Sequence, residues 1–286
     1  MACSLALCLN AGIAASQDSD CNREGAGDEC EAVAGTDIGS MAVAFGVNVV
    51  LGGLVAGVLR GERDGDLWHA VVKGATGGAV SFAGKRLSVE PFFGAGLLGR
   101  EVSAVGSSMV YNASTGSPAF SEVVLPLGPM RLHVLDRPNP FAIRLDVPGA
   151  VMVAYAVANP DLSFDLETSL SNGAPIFIDD GPGGSQRDAG KEIAGVLFVD
   201  RELWGQGTRA RNRTVSHELV HAIQYDQSFI TIGRRIQQLA LTEPQGLVVG
   251  HLDWGFDLPF WWLGNLVVPY SERPWEREAK LLVAGK

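Results

Sequence analysis

The stretch from Ile38 to Leu59, IGSMAVAFGVNVVLGGLVAGVL, carries no charged residue. Its length matches the about 20 residues of a bilayer span. Gly53 and Gly57 lie four apart, a spacing that lets a second helix approach closely. A charged turn follows from Arg60 to Asp66. A second apolar segment then runs from Leu67 to Gly84, with Gly74 and Gly78 at the same spacing. The pattern predicts a glycine-rich helical hairpin over residues 38–84. Two environments suit it. Length favours membrane association, whereas polar Asn48, His69 and Lys73 favour a buried helix pair in a globular protein.

Composition narrows the function classes. The chain has 286 residues, enough for one large domain or two modest ones. Apolar residues make up 47%, charged residues only 19%, and glycine is abundant at 36, which suits a β-rich globule or a protein with membrane contact. The net charge of −10, with no long basic run, argues against nucleic acid as a partner. Arg209, Arg211 and Arg213 are the nearest to a basic cluster and are expected on a solvated turn. Residues 2–15 have the apolar character of an export signal without its basic start, so residues 1–37 are expected to form a signal remnant and flexible tail. All four cysteines, Cys3, Cys8, Cys21 and Cys30, fall in this segment. Cys21 and Cys30 either pair in an oxidising compartment or remain free thiols.

Residues 85–190 are expected to be β-rich. Phe120–Leu127, Met130–Leu135 and Ala142–Val147 are short β-prone runs, the last two near period two, separated by Gly-Pro and Pro-Asn-Pro turns. They predict a small antiparallel sheet with one buried face. His133 within it is expected to be a satisfied core or sheet-surface histidine. Pro148 to Ala158 predicts a helix with proline in its first turn. Asp179–Ser185, rich in glycine, lacks the alternating acids of a calcium loop and is expected to be plain surface. Gly195–Asp200 predicts a strand.

The chemistry-bearing segment is Asn212–Gln227, NRTVSHELVHAIQYDQ, with helical periodicity at Val215, Leu219, Ala222 and Ile223. His217 and His221 are four apart, so both imidazoles leave one helix face. Two nitrogens from a rigid element, a third protein ligand from elsewhere and one open position describe a catalytic zinc site. Glu218 beside the first histidine can take a proton from an attacking water.

This string resembles the zincin metallopeptidases, and His217-Glu-Leu-Val-His-Ala-Ile-Gln224 is similar to the gluzincin type over about residues 212–280. It departs from the metzincin pattern, which has glycine and histidine where this chain has Gln224 and Gln227. The resemblance implies Zn2+ as cofactor, a peptide or protein substrate, and a glutamate ligand on a later helix. Glu276, with Ala279 in the expected place, fits that role. Glu278 is the alternative, and Glu243, His251 and Asp253 are weaker ones. Lys280 stands where such peptidases often carry an acid supporting a zinc-bound histidine. A strand beside the metal helix, here Gly195–Asp200, would align an extended substrate. Tyr270, Arg273 and His251 are candidates for stabilising an oxyanion. Leu252–Leu263, with three tryptophans, would line a cleft, form a buried cluster or touch a bilayer interface.

Taken together, the sequence predicts an α+β chain with a glycine-rich helical hairpin, a small antiparallel β region and a C-terminal zincin-like helical region over 191–286. The expected function is a zinc-dependent peptidase of the bacterial cell envelope, extracytoplasmic or membrane-associated. The alternative is a non-catalytic envelope or assembly protein that keeps a zincin-like fold.

Overall fold

The computed structural model describes residues 38–60, 66–136, 138, 140–181, 190–205, 208–240, 252–255 and 267–284. The expected tail over 1–37 with its cysteines, Glu243, His251 and most of the tryptophan-rich segment lie outside these residues.

The hairpin is present as α1 (Ile38–Arg60) and α2 (Leu67–Ser88). Glycines set their separation: a Cβ on Gly78 would collide with the backbone carbonyl of Asn48, and one on Gly52 with that of Gly74. The helical layer then continues where the sequence predicts a β-rich region. Residues Ala95–Thr115 form a third helix, α3. The reason is visible in the packing. Gly84 of α2 lies against the backbone of Ser103, and Gly99 and Gly106 of α3 lie against Ser88 and Ser81. Glycine and serine therefore form a small-residue seam at helical spacing rather than marking loop. The serines stay satisfied in this buried seam. Ser81 and Ser103 share a 2.7 Å hydrogen bond, while Ser107 and Ser108 donate to carbonyls one turn back.

After α3 come β1 (Glu122–Leu127), β2 (Met130–Leu135) and β3 (Phe141–Asp146), an antiparallel meander at the predicted positions. Helix α4 (Val147–Ala158) follows with its proline in the first turn, capped by the Asp146 carboxylate accepting from Gly149. Next are β4 (Leu162–Phe164), α5 (Leu166–Asn172), β5 (Ile176–Asp179), β6 (Gly190–Ile193) and β7 (Val196–Asp200). A short α6 (Arg201–Gly205) leads into α7 (Thr208–Ser228), which continues through a π-helical turn, Phe229–Gly233, into α8 (Arg234–Ala240). The described remainder is β8 (Leu252–Asp253), a 3-10 turn at Tyr270–Glu272 and α9 (Pro274–Val283). The protein is thus a mixed α and β structure, with strand orders β1-β2-β3-β8 and β4-β5-β7-β6.

Helix α7 is the hub. One side packs Val215, Leu219, Ala222 and Ile223 on Ile176, Leu197 and Val199 of the second sheet. Val220 joins Ala44 of α1, Phe82 of α2, and Ala279 and Leu282 of α9 in another cluster. Ion pairs lock the same helix from below. Asp226 receives Arg100 of α3 at 2.6 Å and Arg131 of β2 at 3.1 Å, and Arg131 also reaches Asp146 at 2.7 Å. These groups are fully buried, so losing one partner would leave an uncompensated charge.

Three local expectations are resolved here. Arg211 and Arg213 lie within α7 rather than on a turn, because the helix starts four residues earlier than its apolar periodicity suggests; Arg211 stacks on Trp204 at 5.1 Å. His133 is a fully buried histidine held between Glu122 at 2.8 Å and Asp253 at 3.4 Å. Asp179 ends β5 and Asp180 pairs with exposed Arg201, while residues 182–185 of the expected surface loop lie outside the described residues.

Candidate metal centre

Helix α7 presents His217 and His221 from one face, and α9 crosses it so that Glu276 meets them. The two Nε2 atoms are 3.1 Å apart. Glu276 Oε2 lies 3.4 Å from His217 Nε2 and 3.3 Å from His221 Nε2. His217, His221 and Glu276 form a candidate metal-binding group. Pro274 in the first turn of α9 starts this helix and brings Glu276 to its N-terminal end.

The triangle fits a small tetrahedral cation. Zinc bonds of about 2.0–2.1 Å at the tetrahedral angle place ligand atoms about 3.3 Å apart, the spacing found here. Glu276 Oε2 is buried with no well-aligned hydrogen bond among the described residues and faces the two imidazole Nε2 atoms at 3.3–3.4 Å, so its charge needs a positive partner, which a cation at the centre of the triangle would be. Two nitrogens and one carboxylate oxygen also match a donor set known for catalytic zinc.

Charges around the triangle are strongly coupled. Burial works against ionisation of Glu276, yet the imidazoles of His217 and His221, helped by the Tyr270 hydroxyl, hold its carboxyl far below the usual range. Burial also disfavours the charged form of His221, but Glu276 and Glu218 outweigh it and push the imidazole up to about 9. A cation entering the site must therefore displace a proton.

Glu218 is buried beside the ligands. Burial pushes its carboxyl up to about 7, opposed by the charge of His221 and reinforced by Glu192 and Glu276. The Glu192 backbone N–H donates to it from β6. The Glu192 carboxyl is raised to about 7 by burial, against the pull of the Gly195 N–H that it accepts.

The other sequence candidates separate clearly. Glu278 faces away from the triangle and bonds Lys85, Asn48 and Gln224 instead. Asp253 is engaged by His133 and Arg144. Tyr270 sits beside Glu276. The Arg273 guanidinium donates to the Val268 carbonyl at 3.1 Å and lies 5.3 Å from the Tyr270 ring. Lys280 is exposed with its ammonium 5.5 Å from the same ring, so it supports neither histidine. The supporting role falls to Gln224, whose Oε1 lies 2.8 Å from His221 Nδ1. Strand β7 cannot take a further strand, because β5 and β6 occupy both its sides. Among the described strands, β6 is the one at the end of the sheet nearest α7.

Gln224, Glu192, Lys85 and Asn48 went unassigned by the sequence. Only Gln224 had a signal, its place three residues after the second histidine.

Comparison with known proteins finds no matching family model, no matching curated protein and no matching solved structure.

Proposed function

We propose that this protein is a zinc-dependent peptidase. The observation that carries the proposal is the near-equilateral triangle of His217 Nε2, His221 Nε2 and Glu276 Oε2, with the Glu218 carboxyl beside it. Zinc held there supplies a Lewis acid that acidifies water and polarises a carbonyl. Glu218 is the proton acceptor, and burial, which raises its carboxyl, favours the later return of the proton to a leaving amine. The Glu192 N–H fixes the Glu218 carboxylate, and Tyr270 steadies Glu276. The end strand β6 is the element along which an extended peptide would lie, a correction of the β7 assignment suggested by sequence.

A membrane-facing location is supported by α1. Among the described residues it is the helix long and apolar enough to cross a bilayer, and Ile38, Val43, Phe45, Val50 and Leu51 are exposed on it. Extraction that requires detergent is the outcome expected.

Metal analysis and peptide-cleavage profiling test the chemistry. The parent protein is expected to hold one zinc and cleave peptides. Glu218→Gln should keep the zinc and lose at least about a hundredfold in rate, the scale of general-base catalysis. His221→Ala should lose the zinc. Absence of stoichiometric zinc in the parent sinks the metal assignment, and cleavage that survives Glu218→Gln removes Glu218 as base.

A further inference from the structure

Behind the metal triangle, a chain of buried polar groups runs from the hairpin to His221. Lys85 Nζ, near the end of α2, reaches Glu278 Oε2 on α9 at 2.8 Å and Asn48 Oδ1 on α1 at 3.1 Å. Asn48 Nδ2 donates to Glu278 Oε1 at 2.7 Å and to its own helix at the Ala44 carbonyl. Gln224 Nε2 on α7 donates to Glu278 Oε2 at 2.8 Å and to the Trp275 carbonyl at 3.2 Å. Gln224 Oε1 lies 2.8 Å from His221 Nδ1.

The directions of these bonds are determined by chemistry. Lys85 can only donate, so the Glu278 carboxylate is an acceptor for it. Glu278 and the Trp275 carbonyl both accept, so the end of Gln224 that faces them must be its NH2. Its carbonyl oxygen is thereby turned to His221 and demands a proton on Nδ1. A neutral imidazole with its proton on Nδ1 offers its lone pair at Nε2, the atom facing Glu276 and His217.

We propose that Glu278 is a positioning residue: through Gln224 it fixes the orientation and tautomer of His221, and it is itself held by Lys85 and Asn48, so that the hairpin is part of the metal centre. This deepens, and rests on, the reading of His217, His221 and Glu276 as zinc ligands. It assigns Glu278 a function other than ligation, and it gives polar Asn48, within an otherwise apolar helix, a partner and a task. Lys280 faces neither histidine, and the relay supports His221 from four elements instead: Asn48 on α1, Lys85 on α2, Gln224 on α7 and Glu278 on α9.

Zinc affinity of the full chain, measured by competition with a chromophoric chelator, tests the relay. Glu278→Gln and Gln224→Leu should each weaken zinc about 10–100-fold, the scale for losing a partner behind a ligating histidine. Lys85→Met with Glu278→Met removes both charges together, a replacement that folded proteins often tolerate. This pair should melt near the parent temperature and still bind zinc weakly. Gln224→Glu alone places two carboxylates together and should also weaken zinc. The cobalt-substituted single variants should show an altered d–d spectrum. Parent-like zinc affinity in Glu278→Gln or in the Met pair overturns the proposal. If the parent takes up no zinc, the peptidase reading fails instead, and proton NMR of the metal-free chain decides the relay. A slowly exchanging His221 Nδ1–H, present in the parent and lost in Glu278→Gln, upholds the relay. Equal exchange in the two overturns it.

Discussion

Both carboxylate oxygens of Glu101 on α3 are buried without a hydrogen-bond partner among the described residues. Burial pushes this carboxyl up from 4.5 to about 7, with Arg100 opposing and Asp226 reinforcing the shift. The native state therefore holds the proton to higher pH than the unfolded chain does. The resulting penalty is absent below about pH 4.5, grows between there and pH 7, and is complete above. Glu101→Gln is expected to stabilise the protein at pH 8 by up to about 3 kcal/mol and by under about 1 kcal/mol at pH 5, read from denaturant melts. Residues differ sharply in how much of this kind of information the sequence exposes. The two histidines and Glu218 were legible because spacing along one helix places them regardless of the fold around it. Glu276 was legible only through resemblance. The tasks of Gln224 and Glu278 were not, because each depends on a partner from a distant segment, Lys85 and Asn48 above all.

The helical layer shows the same contrast between elements. The α1–α2 hairpin could be read from its glycine spacing and its uncharged length, and the three-stranded meander from its alternation and turns. Helix α3 could not, because its glycines and serines have the composition of a loop, and their helical meaning appears only against the matching stripe on α2. That seam makes a paired prediction. Gly84→Ala would press a methyl group into the backbone of Ser103 and should destabilise by about 1–3 kcal/mol or more. Gly46→Ala on α1 meets nothing within 4 Å and should stabilise by up to about 1 kcal/mol through helix propensity. Urea titrations of the two variants would read the opposite signs, and equal effects would mean that the seam is looser than described.

Across the whole molecule, α1, α2, α7 and α9 share one apolar cluster, so the hairpin is built into the body that carries the metal group. Sequence boundaries at 84 and 190 mark changes of composition and do not separate these helices. If α1 were only an anchor, a chain lacking residues 1–60 would bind zinc as the parent does. The expected outcome is the reverse, a chain with lost zinc stoichiometry and a broadened thermal transition. On the proposed reading, in which zinc binds the native state alone, zinc at a hundred times its dissociation constant should add about 2.7 kcal/mol to stability. Metal removal with a chelator should return the melting temperature to its starting value.

The crossing of α9 over α7 also fixes when in the life of a polypeptide the centre can exist. His217 and His221 leave the ribosome well before Glu276, and the hairpin that steadies His221 leaves before them all. A nascent or prematurely terminated chain therefore carries the histidine pair without its carboxylate. The complete group of two imidazoles and one carboxylate, and with it the proposed chemistry, would therefore form only once α9 has been made and has crossed α7.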